Sequence, residues 1–95
     1  MARQAIDYDE MEHNLFNYQM TAKIDGFTFE PRFTVRNNLD RIYQVSHIIN
    51  GSEKLIDTVN IYDKTSISSD IQFKSFKDYM KWLRTQVKAK NFLYI

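Results

Sequence analysis

The chain has 95 residues, no cysteine and a net charge of +1, so it holds one domain over residues 1–95, forms no disulfide and offers no thiolate to a metal or substrate. Hydrophobic residues make up 43% and charged residues 26%, which excludes a disordered chain, and no apolar run reaches the roughly 18 residues of a membrane span. Asp7, Asp9, Glu10 and Glu12 stand where a secretory signal needs an apolar stretch, so a cytoplasmic protein without membrane contact is expected.

Asp7 is placed to cap a helix, with Glu10 as its capping-box partner, and the acidic cluster then suits the positive end of the helix dipole. This helix is predicted over about residues 8–14. A longer helix to Ala22 also fits, because Met11, Leu15, Tyr18 and Ala22 share a helical face. The alternation from Phe16 onward favours a strand instead. Phe16, Tyr18, Met20, Ala22 and Ile24 alternate with polar residues, and Phe27, Phe29, Phe33 and Val35 do so on a second arm. With Asp25-Gly26 as a tight turn between them, residues 16–36 read as one β-hairpin. Pro31 lacks the donor that this register needs, so a bulge or bend is expected there, which makes Phe33 and Val35 weaker core candidates than Phe27 and Phe29.

Asn37-Asn38-Leu39-Asp40 reads as a turn, Arg41 to Ile49 as the third strand and Leu55 to Tyr62 as the fourth. Two registers compete. A two-residue Asn50-Gly51 turn pairs Val45 with Ile56. A five-residue loop from Asn50 to Lys54 pairs Val45 with Val59, Tyr43 with Ile61 and His47 with Asp57. The second keeps the apolar set together and is preferred. Residues 63–70 read as a polar, Ser-rich loop, and residues 71–73 as a short extended piece. Ser75 caps a helix that runs to about Lys90, with Asp78 in the capping-box position and Asn91 ending it.

That last helix carries the most information. Phe76, Met80, Leu83 and Val87 lie in one arc, with Tyr79 at its edge, and should pack on the sheet. Lys77, Lys81, Arg84 and Lys88 form a second stripe beside it. Residues 74–95 hold six basic residues against one acidic, whereas residues 1–73 hold seven against eleven. Four cations on one face read either as a solvated surface or as a footprint for phosphates. Trp82 lies roughly 110° from the centre of the apolar arc. It is either a contact residue for a partner or is covered by Phe92-Leu93-Tyr94-Ile95 folding back. This tetrapeptide adds an edge strand to its own sheet or pairs with another chain as a homodimer.

Signals for catalysis are thin. His47 facing Asp57 would resemble a general-base dyad, but no serine sits in a nucleophile motif, and a structural pair is the simpler reading. His13 among Asp9, Glu10 and Glu12 lacks any metal-ligand spacing, and this cluster reads as a solvated face or as an imitation of a phosphate row. Gly26 and Gly51 both belong to turns, which leaves no glycine-rich phosphate loop. No metal, cofactor or catalytic residue is expected.

The fold class is α+β: a short N-terminal helix, an antiparallel meander of about four strands and one C-terminal amphipathic helix packed on the sheet. The helix–strands–helix order resembles the layout of double-stranded RNA-binding domains. The Gly-Pro turn and Lys-Lys-x-Ala-Lys helix start of that family are absent, so no site carries over. The function expected is a small non-enzymatic module that binds or regulates another protein, with Trp82, Tyr79 and Tyr94 as contacts. The alternative is a nucleic-acid binder using Lys77, Lys81, Arg84 and Lys88. Low Ala, Gly and Pro with abundant Ile, Asn, Lys and Tyr suggests an AT-rich genome, as in a low-GC bacterium or its phage.

Overall fold

The computed structural model describes residues 6–25, 33–39, 41–71 and 73–93. Helix α1 (Tyr8–Asp25) precedes strands β1 (Phe33–Leu39), β2 (Ile42–Ile49), β3 (Ser52–Asn60) and β4 (Thr65–Ser66), and helix α2 (Phe76–Ala89) follows. The strands form one antiparallel sheet in the order β1-β2-β3-β4. A single hydrophobic core draws on both helices and on the sheet face that carries Phe33, Val35, Tyr43, Val45 and Val59. The α+β class expected from the sequence is the fold observed.

Helix α1 corrects the expected hairpin. It does not stop near residue 14 but continues to Asp25. Tyr8, Met11 and Leu15 are buried and Tyr18 half-buried, a stripe spaced three and four residues apart. Phe16, which the hairpin would turn inward, is 48% exposed. The run satisfies both periods, and the contacts that the 3.6-residue stripe makes with the sheet and α2 decide between them. Asp7 caps α1 by accepting a hydrogen bond from the Asp9 backbone N–H at 2.8 Å. Asp25 therefore ends a helix rather than sitting at a hairpin tip. Phe27, Phe29 and Pro31 lie outside the described residues.

Strand β1 buries Phe33 and Val35, the two weaker core candidates. Asn37 to Leu39, expected to turn, still belong to β1, which has an irregularity between Asn37 and Leu39. The chain reverses at Arg41, which adopts φ 51°.

The β2–β3 register is neither of the two expected. Asn50 and Gly51 both have positive φ, at 50° and 81°, as a two-residue type I′ turn requires, and Ile49 faces Ser52. The five-residue loop is thereby overturned. Ser46 still pairs with Leu55, but Val45 pairs with Asp57, so Ile56 is the extra residue of a β-bulge. The bulge has a packing reason. Continued unbroken, the turn's register would set Thr58 opposite Tyr43 and aim Val59 away from the helices. With Ile56 inserted, Val59 faces Tyr43, and both are buried.

Residues 61–64 turn the chain into β4 within the segment expected to be a loop. Ser75 caps α2, accepting from the Asp78 N–H at 3.3 Å, while the Asp78 carboxylate accepts from the Lys74 N–H at 3.3 Å. Lys90, in the left-handed region, closes the helix one residue before Asn91. Past it, Phe92 packs on the core and the Leu93 N–H donates to the Leu55 carbonyl at 2.7 Å. The C-terminal segment thus returns to its own β3 at residue 93.

Candidate functional site

The Ile56 bulge turns Asp57 toward the helices, where it is fully buried. Its carboxylate accepts from the Tyr79 hydroxyl at 2.8 Å, the Ser68 hydroxyl at 3.1 Å and the Ile67 backbone N–H at 2.9 Å. Ser66 and Ser68 share a further hydroxyl contact at 2.9 Å. Burial pushes the Asp57 carboxyl above the usual aspartate range, and these hydrogen bonds oppose the shift. Burial and the adjacent carboxylate drive the Tyr79 hydroxyl up as well. A buried carboxylate is costly unless its lone pairs are satisfied. Here they are satisfied by α2 and by two neighbouring residues of the turn after β4, so one side chain pins that turn to β3 and to α2.

Two backbone hydrogen bonds, Ser69 N–H to Ser66 at 3.0 Å and Ile71 N–H to Ser68 at 2.9 Å, shape that turn. Its inner side holds the serine hydroxyls. Its outer side carries Ile67 and Ile71, 56% and 41% exposed. Ile71 also rims a shallow cleft floored by Tyr8, Met11 and Phe73 and walled by Ser66, Ser68 and Ser69.

The expected contact residues fare differently. Tyr79, placed at the edge of the apolar stripe, has no exposed surface, and its hydroxyl is committed to Asp57. Its ring supports the core and presents nothing to a partner. Trp82 is half-buried, stacked on Tyr79 with centroids 5.9 Å apart and set edge-on to Phe73 at 6.0 Å. Tyr94 lies outside the described residues. Lys77, Lys81, Arg84 and Lys88 are all exposed.

His47 and Asp57 do not face each other. The two-residue turn sets His47 opposite Lys54, and its ring meets Phe33 edge-on at 5.6 Å, so the dyad geometry is absent. The acidic start of α1 has internal partners. Glu12 takes the Arg41 Nε at 3.0 Å, Asp9 takes an Arg41 Nη at 3.0 Å, and the Arg41 guanidinium lies 5.4 Å from the centre of the Tyr62 ring. His13 is exposed and contacts Asn17 at 3.1 Å. Among the described residues no group of three His, Asp or Glu side chains is placed to hold a metal ion, and no helix is long and apolar enough to cross a membrane.

Sequence reasoning missed Asp57 as an anchor and Ile67 and Ile71 as surface. The signals were an aspartate inside the apolar run Leu55–Val59 and two isoleucines inside a Ser/Asp-rich loop. No protein-family model, no curated protein and no solved structure matches the chain.

Proposed function

We propose that this chain is a non-catalytic protein-binding module whose contact surface is the turn carrying Ile67 and Ile71. One observation carries the reading: a turn fastened to the core by a buried carboxylate holds two large apolar side chains toward water. Single exposed apolar residues are ordinary on a protein surface. Two on one anchored turn, beside a cleft of mixed lining, supply area whose ordering cost is already met in the free protein. Trp82 supports this surface from behind through Phe73 rather than making the contact itself. The AT-rich composition points to a low-GC bacterium or its phage as the setting.

The test is the double variant Ile67→Glu/Ile71→Glu. It should fold normally, because neither side chain belongs to the core, and it should lose a protein partner that the unaltered chain retains. Retention of that partner by the folded variant would refute the assignment.

A further inference from the structure

We infer that the outer face of α2 docks the phosphate backbone of a nucleic acid. The inference rests on the helix alone and stands apart from the isoleucine turn.

At 100° per residue, Lys77, Lys81, Arg84 and Lys88 fall within about 60° of arc. The fully buried Tyr79 and Leu83 set the direction in which α2 faces the core. The cationic arc is centred about 150° from their midline. It therefore points almost straight away from the sheet, not along the flank of the apolar stripe as the sequence suggested. Half-buried Trp82 produces the difference, since it draws the packed side round toward Tyr79.

The four cations make no ion pair among the described residues, whereas Arg36 and Arg41 are held by Glu53, Glu12 and Asp9. The one acidic residue of α2, Asp78, sits in the first turn with its carboxylate on the Lys74 N–H. From Lys77 to Lys88 the helix rises about 16 Å. That is the axial rise of about five nucleotides along one strand of a duplex.

The chemistry of the stripe selects among polyanions. A protein interface needs an apolar or aromatic centre, and none lies within the arc. A membrane-surface helix inserts its apolar face into lipid, and in α2 that face is packed on the core. A row of charges with no apolar centre suits a backbone read by charge alone.

The experiment is equilibrium binding of the full chain to short fluorescent duplex and single-stranded DNA and RNA between about 50 and 200 mM salt. Affinity should fall steeply as salt rises, and the probe bound most tightly identifies the polymer. The variant Lys81→Gln/Arg84→Gln should bind roughly tenfold more weakly at low salt. On duplex DNA its log–log salt slope should be shallower by about 2, at 0.9 per lost phosphate contact. Its melting temperature should be unchanged, since both side chains are exposed. No binding at low salt, an unchanged slope in the variant, or binding to phosphatidylserine vesicles but to none of the four nucleic acids would overturn the inference. Ile67→Ser/Ile71→Ser should leave nucleic-acid binding intact, so failure of the isoleucine turn and failure of the helix face are read separately.

Discussion

The Tyr79 hydroxyl donates to the Asp57 carboxylate across 2.8 Å, and both side chains are wholly buried. The bond links the first turn of α2 to the bulged part of β3. The same carboxylate holds Ser68 and Ile67 of the following turn. Tyr79→Phe removes this donor and little volume. A buried hydrogen bond to a charged group contributes about 1.5–3 kcal/mol, and chemical denaturation of the variant should show a loss in that range. A loss near zero would mean that the bond does not secure α2.

Asp57 also makes a prediction about pH. Its carboxyl titrates above the usual aspartate range in the folded protein, chiefly through burial. A raised folded value means that the proton binds the native state more tightly than the unfolded one. The resulting stability is fully present below the ordinary aspartate range and is lost as pH rises through the folded value. The unaltered chain should therefore gain stability relative to Asp57→Asn as pH falls from about 7 to about 4. Glu53, held low by Arg36, works in the opposite direction but equally in both proteins. Melting temperatures across this range test the point, and a flat or inverted difference would show that burial is not the dominant cause.

Leu15 and Phe16 separate the helix from the hairpin. Leu15 is buried in α1, and its truncation to alanine should cost about 2–5 kcal/mol. Phe16 faces solvent, and the same change should stay within about 0.5 kcal/mol. A hairpin would make Phe16 the costly position. Denaturant midpoints of the two variants decide it.

Gly51 tests the turn that sets the β2–β3 register. Its φ is 81°, and a Cβ built there meets nothing within 4 Å. Gly51→Ala should cost about 1–2 kcal/mol through backbone conformation alone. A much larger loss, measured by thermal unfolding, would indicate a steric conflict that the observed turn does not contain.

The legible parts of the chain were those whose local signals agree. Ser75 and Asp78 cap α2 as the sequence indicates, whereas at Asn50-Gly51 the residue types favour the two-residue turn observed while the apolar alternation argues for the five-residue loop that the structure overturns. The remainder depended on contacts between distant segments. Residues 15–24 carry apolar spacings that satisfy strand and helix alike, and only packing against the sheet selects the helix. The β2–β3 pairing resolves two local demands with one inserted residue: the turn at Asn50-Gly51 and the inward placement of Val59 are both met once Ile56 bulges. No pairwise register without a bulge meets both. The turn-borne isoleucines were invisible because their exposure follows from Asp57 gripping the inner side of the turn, which in turn follows from the bulge.

Ile67 and Ile71 are proposed as the partner-binding surface. The test is affinity capture with three baits: the unaltered chain, Ile67→Glu/Ile71→Glu, and Phe16→Glu, which places one glutamate on an exposed aromatic of α1. One partner should be retained by the first and third baits and lost by the second, with all three equally folded by circular dichroism. A partner that stays with the isoleucine variant, or that is lost only from Phe16→Glu, would contradict it.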